Sequence, residues 1–277
     1  MIIDFRLRPP YEGYLGTQMY DAATIGWINR VIGTNMPDGP AAALAGSMAA
    51  MIAEMDACGV TTGVTQGRHR PGTEIPNAVL ARLCREYPGR FVALASVDVT
   101  DVRNGTAMMD KALGEFGFPG ISLDLSALGM RVNDRRVYPI YEHCASLGGF
   151  CAITLSMLGA QEFELIAPAD LDRAARDFPK LDFVSAHGSY PYVLEVIGVA
   201  MKRANVWLSP DMYMTHTPGG MLYTQAAAGY LQDRMLFGTA YPYTPLRDTV
   251  DRFMQLPLPD AVKEKLLFRN ARRLLKL

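Results

Sequence analysis

The chain has 277 residues, of which 49% are hydrophobic and 20% charged, with 27 Lys and Arg against 28 Asp and Glu. This length suits the core of one (β/α)₈ barrel, and the modest charge argues against long disordered tails. A formal net charge of −1 leaves no electrostatic footprint for nucleic acid or an anionic membrane, so selectivity for a charged ligand has to come from a local cluster.

At the N-terminus, MIIDFRLRPP puts an acid and two arginines where a secretory leader needs an apolar run. No stretch reaches the roughly 20 apolar residues of a membrane span. The four cysteines, Cys58, Cys84, Cys144 and Cys151, make no C-x-x-C pair and read as buried, reduced thiols. The expected location is the cytoplasm, and association into homo-oligomers is left open.

Short apolar runs then alternate with helical segments. The predicted strands are Ile2–Arg8, Val60–Thr65, Phe91–Val97, Gly120–Leu125, Phe150–Leu155, Leu181–Ala186, Val206–Ser209 and Met235–Thr239. Runs this short and apolar suit strands buried on both faces. Helices are expected over Ala41–Cys58, stopped by Gly59, over Ile75–Tyr87 before Pro88, and over Asp134–Leu147 before Gly148. The last, Pro259–Leu275, has Asp260 in its first turn and a basic end, as the helix dipole favours. Repeated β-then-α units imply parallel strands with right-handed crossovers, and eight of them imply closure. The expected fold is therefore an α/β (β/α)₈ TIM barrel, one domain over 1–277. No Gly-x-Gly-x-x-Gly turn supports an open dinucleotide-binding sheet. The segment Pro9–Pro40 is long for a βα loop and reads either as a lid or as an extra packed turn over one barrel end.

The strand ends carry the chemistry. IDFRLRPP begins the first strand, SAHGSYPY at 185–192 ends the sixth, FGTAYPYTP at 237–245 forms the eighth, and VKEKLLFRNARRLLKL closes the chain with Asn270-Ala271. Together they resemble the amidohydrolase-related barrel family, which includes zinc-dependent decarboxylases and hydrolases of small acids. The resemblance implies a metal site of first-strand I-D-x-H-x-H, fifth- and sixth-strand histidines, and an eighth-strand Asp. In this chain the corresponding positions are Arg6, Arg8, about Thr154, His187 and Ala240, so only His187 survives. Arginine presents only donors, and neither Thr nor Ala replaces an imidazole or carboxylate ligand. Zinc normally needs three protein ligands plus an open position, so no metal in the usual site is expected.

With side chains alternating along a strand, Asp4, Arg6 and Arg8 are expected on one inward face. Asp4 would partner one arginine, and the other would bind a carboxylate or phosphate. The alternative is an Asp-Arg network plugging a dead site. Arg68 and His69, after the second strand, are further candidates for the substrate side, while Arg70 reads as solvated. Asp98 and Asp124 end the third and fourth strands, as partners of arginines, as an acid or base, or as helix caps. His187 is the strongest candidate base, with Asp211 beside it. His216 is placed on a lid. Tyr241 and Tyr243 are potential donors to a ligand oxygen. His143, mid-helix, reads as structural.

Three functions follow. The first is a metal-independent hydrolase acting on a small anionic lactone or amide, for which relatives that open pyrone-dicarboxylate lactones give precedent by resemblance. Here Arg6, Arg8, Arg68, His69, His216 and Tyr241 bind substrate, and His187 and Asp211 are catalytic. The second is a zinc-dependent hydrolase or decarboxylase with a displaced site of His187, Asp211 and His216. The third is a non-catalytic binder of small anions.

Overall fold

A computed structural model describes residues 1–34 and 39–277, so positions 35–38 of the long Pro9–Pro40 segment lie outside the described residues. Seven parallel strands form one sheet in chain order. They are β1 (Ile2–Asp4), β2 (Val60–Gln66), β3 (Phe91–Ser96), β4 (Gly120–Leu123), β5 (Phe150–Ser156), β6 (Phe183–Tyr190) and β7 (Val206–Ser209).

The eighth expected strand, Met235–Thr239, is not regular. It closes the ring through two isolated bridges, Leu208 with Met235 and Leu7 with Tyr241. Between them Leu236 N donates to Leu208 O (2.8 Å) and Phe5 N to Phe237 O (2.9 Å). The ladder lapses for two visible reasons. Thr239 N is taken by the Asp4 carboxylate at 2.9 Å, and Ala240 turns left-handed at φ 64°. The first strand also ends early, at Asp4: Phe5 N still bonds the eighth segment, Arg6 N turns to the Asp4 carboxylate, and ladder pairing resumes at Leu7. The result is an α/β barrel of TIM type.

Helices alternate with the strands. The expected Ala41–Cys58 helix is two pieces, Ala41–Leu44 and Met48–Cys58. Gly46 at φ 61° breaks it and the Ser47 hydroxyl caps the second piece. Asp134–Leu147 shortens to Tyr138–Ser146, and Ile75–Tyr87 to Asn77–Glu86 after Pro76. The closing helix runs from Asp260 with a widened turn at Lys265–Arg269. Asn270 Nδ2 donates to Gln232 O and Met235 O and so ties that helix to the eighth segment.

The core has two layers. Ile3, Phe5, Val64, Leu94, Phe150, Val184, Trp207 and Leu236 fill the barrel interior, which Ala271 and Leu274 of the closing helix stopper. A larger layer packs the outer strand faces on the helices. Each fully buried Leu, Ile or Phe contributes about 1.5–3 kcal/mol, so this end of the barrel is rigid. The four cysteines are free thiols, three of them buried. Among the described residues no helix is long and apolar enough to cross a membrane.

Among the described residues the long segment after β1 carries a single 3-10 turn, Gln18–Tyr20, and then α1 (Ala22–Ile32), capped by the Asp21 side chain on Thr24 N. Two tyrosines peg the segment to the barrel. Tyr14 Oη reaches Thr65 Oγ1 (2.5 Å) and donates to Gln66 O, while Tyr20 Oη donates to Arg8 O. A short hairpin, Arg68–Arg70 with Thr73–Ile75, rises beside it from the end of β2.

Candidate anion-binding and proton-transfer site

At the C-terminal ends of the strands lies a cavity of about 170 Å³. Arg6, Arg8, Arg68 and Arg70 line it with a single carboxylate, Asp124, and with the imidazole of His187. Met19, Trp27 and Ile28 of the long segment form part of its wall. Four permanent cations against one lining anion make the cavity electropositive although the chain is near neutral.

The two arginine pairs differ. Arg68 Nε lies 2.8 Å from Asp124 Oδ2, and its Nη1 donates to Ser122 Oγ at 2.6 Å. Arg70 Nε stands 3.5 Å from the same carboxylate oxygen. Burial alone would raise the Asp124 pKa, but Arg68, with further help from Thr154, Arg6 and Arg70, holds it below the usual carboxylate range. Arg6 and Arg8 have no carboxylate within ion-pair distance among the described residues. The Arg6 guanidinium donates only to Thr154 Oγ1 (2.8 Å) among the described residues, and its Nε and Nη1 are buried without partners. Arg8 Nη1 donates to the carbonyls of Ala240 (3.1 Å) and Tyr241 (3.2 Å), and its guanidinium lies 5.1 Å from the Tyr243 ring centre. Burial, then repulsion from Arg68 and Arg8, pushes the Arg6 pKa down.

The expected Asp4–Arg pair does not form. The Asp4 carboxylate instead accepts from Arg6 backbone N (3.0 Å), Thr239 N (2.9 Å) and Thr239 Oγ1 (2.6 Å). The break after β1 is the cause. Phe5 joins the inner apolar cluster while the adjacent Arg6 faces the cavity, so Asp4 and Arg6 no longer share a face.

His187 and Asp211 are brought together. His187 N donates to Asp211 Oδ2 at 3.2 Å, and the ring Nδ1 lies 3.2 Å from the same oxygen but not in line for a hydrogen bond. Ser209 Oγ donates to Asp211 Oδ1 at 2.5 Å. Burial and then Arg6, Arg8 and Arg68 push His187 well below its ordinary pKa, so the imidazole is neutral. Burial raises Asp211 to about 6, against the pull of Arg6 and the Ser209 hydroxyl. The backbone here is strained, with His187, Ser189, Asp211 and Ala240 all at φ between 54° and 67°. Non-glycine residues in such regions cost about 1–3 kcal/mol each and collect at functional sites.

Other candidates sit elsewhere. His69 points to Asp98 (3.4 Å) and Glu74 (3.7 Å), outside the cavity lining. Asp98 mainly caps the next turn through Thr100, Asp101 and Asn104. His216 bonds Asp248 at 2.8 Å and Thr215 at 2.7 Å, away from His187. Tyr241 is buried with its hydroxyl unpartnered and offers the site only its carbonyl, whereas Tyr243 lines the cavity. Arg70, read from the sequence as solvated, lines it too. Ser126, Ser156 and Trp27 were not legible in the sequence, because isolated hydroxyls and one aromatic carry no pattern. His143 is on an outer helix, 2.7 Å from Asp110.

The donor set does not fit a divalent metal. Guanidiniums repel a cation, Ala240 offers no side-chain ligand, and among the described residues no three His, Cys, Asp or Glu side chains converge. The displaced trio of His187, Asp211 and His216 is not assembled.

Over its whole length the chain is similar to solved structures of this fold. An uncharacterized TIM-barrel protein from Bordetella bronchiseptica is 36% identical, with a TM-score of 0.93 over 99% of this chain and 98% of that one. A 2,6-dihydroxybenzoate decarboxylase from Rhizobium shares the fold at 15% identity, with a TM-score of 0.75 over 99% and 98% of the two chains. In sequence, a 2-amino-3-carboxymuconate-6-semialdehyde decarboxylase of Dictyostelium discoideum is 29% identical over 72 residues, covering 26% of this chain and 20% of that protein. The sequence model of an amidohydrolase family matches residues 3–277, and the chain belongs to that family.

Proposed function

We propose that this protein is a metal-independent hydrolase that opens a small carboxylated lactone or amide. The observation that carries the reading is the buried guanidinium pair Arg6 and Arg8, with no carboxylate within ion-pair distance among the described residues, facing a cavity with a neutral imidazole. Arg6 and Arg8 take the place of a Lewis acid. They hold the substrate carboxylate, and an adjacent guanidinium nitrogen receives the oxyanion as water adds to the carbonyl carbon.

His187 accepts the proton of the attacking water, and Asp211, 3.2 Å from Nδ1, stabilises the imidazolium that results. Breaking the ring C–O or C–N bond returns that proton to the leaving atom. A bound anion also raises the basicity of His187, because it cancels part of the repulsion from Arg6, Arg8 and Arg68 that depresses the ring.

Decarboxylation is the second reading. It is favoured by the fold neighbours named as decarboxylases of 2,6-dihydroxybenzoate and 5-carboxyvanillate. Guanidiniums gripping the scissile carboxylate would stabilise the ground-state charge that must leave it, which tightens binding but raises the barrier to loss of CO₂.

The test is a panel of carboxylated lactones and aromatic carboxylates, assayed for ring-opened acid and for released CO₂, each with and without chelator. Chelator-insensitive ring opening is expected. Activity only after metal is added overturns the reading, and CO₂ release without ring opening promotes the second.

A further inference from the structure

Asp211 does not sit where this fold's eighth segment would deliver a carboxylate, since that position is Ala240. It reaches the site from β7, across the eighth segment, and the contact it makes there is unusual. A Cβ built on Gly238 would stand 2.4 Å from Asp211 Oδ1 and 3.0 Å from Arg6 Cβ. Gly238 is not in the left-handed region. Backbone conformation therefore gives no reason for a glycine, and space does.

We infer that Gly238 is a positioning residue: the room left by its missing side chain seats the Asp211 carboxylate beside Arg6 and against His187. Three sides of the seat are defined. Ser209 Oγ fixes Oδ1 at 2.5 Å, His187 N fixes Oδ2 at 3.2 Å, and the Gly238 backbone forms the floor. Arg6 and Arg8 face the carboxylate from the end of β1 with Asp4, and His187 faces it from β6. A methyl group at 238 closes the floor. Arg6 Cβ is anchored to its backbone, so the carboxylate, held only by its hydrogen bonds to Ser209 and His187, moves by about 1 Å, a displacement that can cost about 100-fold in rate.

The inference rests on the proton-transfer role given to Asp211 above, and its test separates the two. Four proteins are compared: wild type, Gly238→Ala, Asp211→Gly and the double variant. Asp211→Gly is chosen because φ 54°, ψ −133° suits glycine, so the backbone accepts it.

The first readout needs no substrate. Gly238→Ala lowers the melting temperature, and adding Asp211→Gly restores most of the loss, because the clash partner is gone. The His187 ring resonances at fixed pH shift in Gly238→Ala towards those of Asp211→Gly. Strictly additive melting shifts, or unchanged His187 resonances, overturn the inference. The second readout is turnover of whichever carboxylated lactone the wild type opens, with kcat falling about 100-fold in Gly238→Ala and KM holding within a few-fold. A fall in KM-type binding with kcat intact also overturns it. If the first readout holds while no lactone is turned over, the seat stands and the hydrolase reading falls.

Discussion

The arginines that follow β1 and those that follow β2 present the same group to one cavity under opposite conditions. Arg68 is a buried cation already neutralised, held by Asp124 at 2.8 Å and by Ser122. Arg6 is equally buried, its guanidinium donates only to Thr154 among the described residues, and two of its nitrogens are without partners. Removing one member of a matched buried pair strands the other, whereas removing an unmatched charge relieves a strain already present. The first pair is therefore architecture, and the second keeps the free donors on which the proposed anion binding rests.

The largest expected effect comes from breaking the matched pair. Asp124→Ala leaves Arg68 buried and uncompensated and lowers stability by about 3–5 kcal/mol, read as the shift in denaturation midpoint. The same replacement at the two arginines then separates them by sign. Arg68→Met destabilises by a similar amount by stranding Asp124, while Arg6→Met is neutral or stabilising by about 1 kcal/mol. Asp4 does not change this outcome, because its donor from residue 6 is the backbone N and survives the substitution. Equal losses at both positions would erase the distinction.

Asp211 sharpens the picture through pH. Its pKa is raised from 3.8 to about 6 in the fold, so its ionisation works against folding. The stability it provides is full below about pH 4 and falls as pH rises towards 6, by about 3 kcal/mol in all. Asp211→Asn therefore melts above the wild type at pH 7 and level with it at pH 4, while its turnover falls about 10²- to 10⁴-fold. A melting gap that ignores pH shows that Asp211 is not held at its raised value.

Next in size is anion binding. Phosphate or a dicarboxylate at 100 times its Kd adds about 2.7 kcal/mol by mass action. The gain is expected in the wild type and lost in Arg6→Met and Arg8→Ala. Added salt weakens it less than at an exposed site. The smallest effect is Arg70→Ala. Its side chain is 29% exposed and 3.5 Å from Asp124, so thermal melts should show a loss under about 1 kcal/mol.

Much of this was written in local sequence. Strand and helix order follow from apolar runs, prolines and glycines acting over a few residues, and seven of the eight expected strands form as regular strands. Which strand ends carry cations, and that His187 stands without companion histidines, were equally legible, because residue type alone decides them. The partners were not. Whether Asp4 faces Arg6 depends on a single break in pairing at Arg6, and one position of slip turns a side chain to the other face. The break is tied to Thr239, 235 residues away, which takes the Asp4 carboxylate. Likewise Tyr241 and Tyr243 are indistinguishable as residue types, and only the bridge from Leu7 to Tyr241 settles which of them reaches the cavity. The sequence by itself determined the elements, their order and the chemistry available at their ends. Tertiary structure decided which charges are matched and which are left open, since an ion pair is a distance of a few ångströms between residues that the chain brings together only by closing the barrel.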